Sequence, residues 1–279
     1  MNLYSINTGH FKLDGGAMFG VVPKSIWYKL NPADENNMCS WAMRCLLIED
    51  GNRLILIDNG MGNKQNAKFF GYYYLHGNDS LEKSLNKHGF SCDDITDMVL
   101  THLHFDHCGG SINYNSDRTK LEPAFKNAKY YTNKKHWDWA INPNPREKAS
   151  FLKENILPIQ ESGQLNFIDQ NTELITGVNF IEVNGHTEAM MLPVIKYKNT
   201  TIAYMADLIP SAGHLPLPYV MAYDTRPLLT LQEKEQILNK ALENNWTLFL
   251  EHDPSIECIN LQQNERGISK KDNFLLSEL

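Results

Sequence analysis

Four metal-competent side chains crowd into one short segment. Residues 101–110 read Thr-His-Leu-His-Phe-Asp-His-Cys-Gly-Gly, an H-x-H-x-D-H pattern made by His102, His104, Asp106 and His107. Residues two apart on an extended chain point the same way, so His102 and His104 can offer two imidazoles to one cation. Asp106 and His107 follow where the chain turns toward a helix, and they can address a second position nearby. Neutral imidazole with carboxylate suits zinc, and also iron, manganese or cobalt. Gly109-Gly110 lets the backbone turn tightly beside these ligands. Cys108 reads as a small hydrophobe rather than a ligand.

One segment does not supply enough ligands, and three later ones do. Each is an apolar strand pattern running directly into a metal-competent residue: Asn179 to Val183 into Asn184-Gly185-His186, Thr201 to Ala206 into Asp207, and Trp246 to Leu250 into Glu251-His252-Asp253. The elements that must carry these donors can be read around them. Trp41 to Ile48 and Arg53 to Ile57 are expected as strands about a hairpin turn at Glu49-Asp50-Gly51-Asn52. Asn2 to Thr8 alternates only weakly. Ser80 to His88 is expected as a helix with Ser80 as N-cap and Gly89 beyond its end. Asp97 to Thr101 and Tyr130 to Thr132 are expected as strands, and Asn133 to Ile141 and Arg146 to Leu157 as helices. Gln164 to Ile168 is a further strand. Leu192 to Tyr197 and Thr201 to Ala206 make a second hairpin turning at Lys198-Asn199, and Thr230 to Asn245 is the longest helix. No linker interrupts the pattern, so one domain over residues 1–279 is expected.

Composition excludes several classes of function. The chain has 279 residues, 42% hydrophobic and 21% charged, so it can build a sizeable core. Its net charge of −7 and the absence of a basic patch speak against nucleic acid or an anionic membrane as partner. No apolar run reaches the length of a membrane span, and the first residues lack a secretory signal pattern. Five cysteines at irregular spacing (39, 45, 92, 108 and 258) argue for a reducing cytoplasm. Met18, Phe19, Trp27, Phe105 and Tyr223 flank the ligand-bearing loops and are candidates to line a small-molecule pocket, with His214 as a polar candidate.

The ligand-bearing segments, in this order, resemble the metallo-β-lactamase superfamily over about residues 1 to 260. The resemblance implies an α+β fold, an αββα sandwich of two mixed β-sheets flanked by helices, with two divalent metal ions, zinc foremost. It implies that His102, His104 and His186 hold the first metal, that Asp106, His107 and His252 hold the second, and that Asp207 bridges both with a hydroxide between them. Asp106 is then the catalytic proton shuttle, and Asp58 orients ligand imidazoles from behind. Asp207 in place of Cys sets the chain apart from the best-known zinc β-lactamases. His104 in place of Glu sets it apart from the flavodiiron branch. Leu13 to Lys24 (LDGGAMFGVVPK) is similar to the N-terminal loop of N-acyl-homoserine lactone lactonases. Asp207-Leu208-Ile209-Pro210 and His214 to Pro218 are similar to the lactonase and methyl-parathion-hydrolase group. Two positions depart from the lactonase pattern: Pro210 stands where those enzymes carry Tyr, and Met190 where they carry a second His. The implied function is a dinuclear-metal hydrolase that opens a lactone or cleaves a small ester, with a small-molecule substrate and a homodimer as the assembly of related enzymes. The alternatives are a phosphotriesterase or arylesterase of the same fold and a non-catalytic metal-binding protein.

Overall fold

The computed structural model describes residues 1–279. It contains two six-stranded mixed sheets and a two-stranded hairpin. The first sheet runs, edge to edge, Asn2–Asp14, Met38–Asp50, Arg53–Ile57, Asp97–Val99, Lys129–Asn133 and Leu165–Ile168. The second runs Gly267–Phe274, Cys258–Asn264, Thr247–Phe249, Thr200–Tyr204, Met190–Tyr197 and Val178–Val183. The chain divides into two compact units, one of residues 1–9 and 43–169, the other of residues 10–42 and 170–279. The two long strands Asn2–Asp14 and Met38–Asp50 carry residues of both units.

In the first unit Arg53–Ile57, Asp97–Val99, Lys129–Asn133 and Leu165–Ile168 pair in parallel. Leu54, Leu56, Met98 and Tyr130 from these strands are buried with Trp137, Ile156 and Ile159 of two flanking helices. Parallel strands covered this way read as continuous apolar runs, as Arg53–Ile57 does. The helix Leu81–Lys87 is capped by Ser80, whose hydroxyl accepts from Lys83 N, and Asn133 caps Lys134–Ile141. In the second unit the helix Pro227–Glu243 opens with Pro at its first position, where a missing N–H costs nothing.

Several expectations fail for definite reasons. The helix expected over Arg146 to Leu157 begins only at Lys153 and ends at Glu161. The residues before it form a separate turn, in which the Asn144 side chain accepts from Arg146 N and Glu147 N. The strand expected over Thr201 to Ala206 stops at Tyr204, because Ala206 takes a left-handed φ of 41°. Asn2–Asp14 is a 13-residue strand, longer than its weak alternation suggested. The antiparallel hairpin of Cys258–Asn264 and Gly267–Phe274 was missed. Its exposed half is a run of Gln, Asn, Lys and Asp, polar enough to mask a strand's alternation. No helix is long and apolar enough to cross a membrane, and all five cysteines are free.

Candidate metal centre

The H-x-H-x-D-H residues sit at the end of the parallel strand Asp97–Val99 and in the single turn of helix Phe105–Cys108. They are held there by the loop after the neighbouring strand. Asn59 N donates to His107 O at 2.9 Å, and Gly110 N to Gly60 O at 3.0 Å. A Cβ on Gly109 would lie 2.1 Å from Met61 O, and one on Gly110 would lie 2.4 Å from Asn59 O. The two glycines therefore serve close backbone approach; neither has a positive φ. Lys64, buried, donates to Gly109 O from the same loop.

Each of the three imidazoles of this segment has one nitrogen turned to a protein oxygen and the other turned to a neighbouring donor. Asp58 is the hub. Its carboxylate accepts from Thr101 N at 2.8 Å, from Thr101 Oγ1 at 2.7 Å and from His107 Nδ1 at 3.1 Å. Thr101 Oγ1 in turn lies 3.1 Å from His102 Nδ1. Since the hydroxyl spends its hydrogen on Asp58, it accepts from His102. His104 is turned the other way round: its Nε2 lies 3.5 Å from Glu147 Oε1, and its Nδ1 lies 3.0 Å from His102 Nε2. His107 Nε2 lies 3.9 Å from Asp106 Oδ2. A neutral imidazole whose proton is fixed at one nitrogen keeps a lone pair at the other. The lone pairs left on His102 Nε2, His104 Nδ1 and His107 Nε2 belong to buried rings. Metal-binding histidines are oriented in this way, by an acceptor at the far nitrogen.

The second unit repeats the arrangement. Asp207 places Oδ2 at 3.0 Å from His186 Nε2 and Oδ1 at 3.1 Å from His252 Nε2. The far nitrogens are again held: His186 Nδ1 by Asp224 Oδ1 at 2.8 Å, and His252 Nδ1 by Ala42 O at 2.7 Å. Burial works against a charged His186, but the carboxylates of Asp207 and Asp224 outweigh it and push its pKa up to about 10. Carboxylates that hold a proton there so firmly would hold a divalent cation in its place. The donor chemistry of both units thus fits divalent metal: imidazoles and carboxylates, buried, and oriented from behind.

Local structure explains how the second set is presented. The His186 loop is tied to the start of helix Pro227–Glu243. Glu233 accepts from Asn184 N and Gly185 N, Arg226 Nη1 donates to Asn184 O at 2.6 Å, and Thr225 N donates to His186 O. A Cβ on Gly185 would meet Thr230 N at 2.4 Å, so the loop lies directly on the helix. Asp253, next to His252, accepts from Ala212 N at 3.0 Å. Asp58 and Ala206 both sit in left-handed backbone, at φ 56° and 41°. Such strain in non-glycine residues clusters at functional sites.

Sequence reading did not single out Thr101, Ala42, His136 or Glu147 as orienting groups. His136 Nε2 accepts from Leu103 N, which steadies the residue between His102 and His104. Ala42 acts through its carbonyl, which no residue type announces. Glu147 is buried and bound by Trp139 Nε1 and Asn144 Nδ2, yet nothing near it in sequence marks a site. Of the candidate substrate residues, Met18, Phe19 and Trp27 are 2% exposed or less. Phe19 stacks between Trp27 and His214, at centroid distances of 5.5 and 4.4 Å. His214 places Nε2 against Met18 O and Nδ1 against Ser211 Oγ, and burial pushes its pKa down to about 3. Tyr223 is 39% exposed. Phe105 packs under Phe69 and Tyr73.

Comparison with known proteins agrees with this donor chemistry. An N-acyl homoserine lactonase of Bacillus thuringiensis is 26% identical over 197 residues, and the match spans 66% of this chain and 66% of that enzyme. A probable metal-dependent hydrolase from Staphylococcus aureus superposes with a TM-score of 0.89 at 26% identity, covering 100% of this chain and 98% of that one. A dizinc quorum-quenching lactonase solved with a homoserine product has the same fold, with a TM-score of 0.80 at 24% identity, covering 98% of this chain and 95% of that one. The sequence profile described as the metallo-beta-lactamase superfamily matches residues 44–252, a span that opens in the strand Met38–Asp50 and closes on His252. With that profile running through every donor and with the fold of these hydrolases, the chain belongs to the metallo-β-lactamase superfamily.

Proposed function

We propose that this chain is a metal-dependent hydrolase that opens a lactone or cleaves a small carboxylic ester, and that residues 1–279 work as one functional domain. The observation that carries the reading is the pair of donor sets, each complete with its orienting acceptors. His102, His104, Asp106 and His107 form one, and His186, Asp207 and His252 the other. We propose these seven as the ligands of two divalent ions, zinc being the ion that best suits imidazole with carboxylate. Such a pair of ions supplies Lewis acidity toward a carbonyl oxygen and a water acidified to near neutral pH.

The chain's own groups do the rest. Asp58, Thr101, Asp224, Glu147 and the Ala42 carbonyl hold the imidazoles in one orientation and one tautomer, so no reorganisation is needed during turnover. Asp106, in the first turn of its helix and 8% exposed, can carry a proton from the attacking water to the leaving oxygen. The lactonase relatives favour a lactone as substrate. Pro210 has no side-chain donor, and this favours as second reading a phosphotriesterase or arylesterase, in which a leaving phenolate needs less help.

The test is elemental analysis of protein purified without added metal, with hydrolysis of N-hexanoyl-homoserine lactone, an aryl ester and a phosphotriester measured on the same sample. About two ions per chain with lactone turnover is expected. Two ions with turnover of the triester or aryl ester alone selects the second reading. No metal, even after reconstitution, overturns both.

A further inference from the structure

A cavity of about 300 Å³ lies in the second unit, apart from its donors. The strands Thr200–Tyr204 and Thr247–Phe249 run parallel. Asp207 and His252 follow them at one end, and Thr200 and Thr247 line the cavity at the other. Its volume is at the lower bound of small-molecule sites. Its apolar lining comes from Ala241 and Leu242 of the long helix and from Trp246 and Leu261. The strand pairing beside it is irregular. Asn260 pairs with Asp272 and Leu261 with Lys270, so Lys271 is the extra residue of a β-bulge. A bulge re-aims a side chain out of the strand's alternation, and this one brings Lys271 into the lining beside Asn260 and Leu261.

The polar lining is rich in unspent donors and poor in anions. The two hydroxyls use their hydrogens within the protein: Thr200 Oγ1 donates to Asn245 O at 3.3 Å, and Thr247 Oγ1 to Asn260 Oδ1 at 3.1 Å. The amide NH2 groups of Asn199, Asn245 and Asn260 donate to no protein oxygen. Lys271 pairs only with its neighbour Asp272, at 3.7 Å, where both side chains are more than half exposed. No carboxylate side chain lines the cavity. Leu279 O, at its rim, accepts from Lys198 Nζ at 2.7 Å. The last carbonyls of helix Pro227–Glu243 are spent as well, Ala241 O on Trp246 N and Leu242 O on Asn245 N. Lys240 Nζ adds a further positive charge over the Trp246 ring, at 5.2 Å. Three NH2 groups and an ammonium beside an apolar wall suit a ligand with an anionic oxygen end and an apolar body.

We propose that this cavity is a second binding site, remote from the metal donors, for a small organic carboxylate. Lys271 and the amides of Asn199, Asn245 and Asn260 donate to the carboxylate oxygens, and the apolar body of the ligand rests on Trp246 and Leu261. The site is independent of the hydrolase reading, since it shares no residue with the donor set.

The probe is sodium hexanoate, titrated calorimetrically into the metal-loaded protein, with hexanamide as its uncharged counterpart. The titration is repeated on Asn260→Leu, which removes a donor at the strand, and on Lys271→Gln, which removes the charge from an exposed side chain. One hexanoate per chain is expected at this site. Asn260→Leu should weaken it by about tenfold, the worth of one hydrogen bond to a charged group. Lys271→Gln should weaken it by about fivefold, the upper worth of an exposed ion pair. Hexanamide should bind at least about tenfold more weakly than hexanoate. Absence of saturable hexanoate binding overturns the proposal, as does binding that the folded variants do not both weaken, which would place the carboxylate elsewhere, on the metal ions for example. Equal affinity for hexanamide overturns the carboxylate assignment. Asn260→Leu also removes the Thr247 hydrogen bond; if it fails to fold, the surface variant Lys271→Gln and the hexanamide comparison decide.

Discussion

Replacing Asp58 by Asn tests whether orientation from behind is what makes the first donor set. The substitution is nearly isosteric, and Asn tolerates the left-handed φ of 56° found at this position. The hydrogen-bond pattern decides which way the new amide must face. Thr101 N is a backbone donor that cannot move, and it sits 2.8 Å from Oδ1, so the amide oxygen must stay there. The NH2 group then occupies the place of Oδ2, which faces Thr101 Oγ1 and His107 Nδ1. A hydroxyl can turn and accept. The imidazole can accept at Nδ1 only by carrying its proton on Nε2, the nitrogen turned toward Asp106. The metal-facing lone pair of His107 is thereby lost. Disturbing such orienting groups weakens metal binding by about 10- to 100-fold, or roughly 1.4 to 2.7 kcal/mol.

Chelator competition on the unaltered protein and on Asp58→Asn would measure this. One ion should be weakened by that factor, and the metal-free proteins should unfold at similar temperatures, since volume, backbone and the Thr101 N–H bond are kept. Unchanged affinity for both ions would refute the reasoning. A collapse of the metal-free protein would show Asp58 to be a folding residue instead.

Three further outcomes are expected. Stripping divalent ions should lower the unfolding midpoint, and re-adding zinc at about 100 times its dissociation constant should return roughly 2.7 kcal/mol; identical midpoints with and without metal would sink the two-ion site. Gly109→Ala forces a Cβ to within 2.1 Å of Met61 O, backbone against backbone, and should cost about 3 kcal/mol of stability, read by urea unfolding; a stable, metal-replete variant would contradict it. Lys234, fully buried, donates to Pro216 O and Tyr219 O, and burial depresses its pKa from 10.5 to about 7, the Asp224 charge opposing. Between pH 7 and 10.5 the unfolded chain then holds a proton that the folded chain does not. This group's contribution to stability must therefore rise with pH across that window, by a few kcal/mol. Unfolding free energies that run parallel for the unaltered protein and Lys234→Met from pH 7 to 10 would show that no such linkage exists.

What could be read in the sequence follows from how each kind of group announces itself. Metal donors come from a short list of residue types, and at strand ends they follow apolar runs with a recognisable period. The seven residues proposed as donors, His102, His104, Asp106, His107, His186, Asp207 and His252, could therefore be singled out as candidates before any geometry was known. The parallel strands could be read for the same reason: Arg53–Ile57 is apolar at four of its five positions because both of its faces are covered. The Cys258–Asn264 hairpin could not be read, because a half-exposed strand of Gln and Asn carries no apolar alternation to detect.

The orienting groups were hidden for a different reason. Each imidazole's far nitrogen is turned to whatever oxygen the fold delivers, and that oxygen need have no characteristic type. For His252 it is the carbonyl of Ala42, 210 positions away in the chain. For His102 it is the hydroxyl of its neighbour Thr101, a residue that reads simply as a strand end. For His104 it is Glu147, placed by the Asn144-capped turn that a helical reading of Arg146 to Leu157 conceals. Only Asp58 and Asp224 are of a type that suggests the role, and even they could equally have been turn residues. Ligand identity is thus a property of residue type and local pattern, while ligand orientation is a property of the tertiary fold. A chain can keep every donor of its superfamily and still differ in metal affinity through groups such as Glu147. For that reason orienting acceptors, and not the donors alone, are where variants of this protein should be expected to separate metal binding from folding.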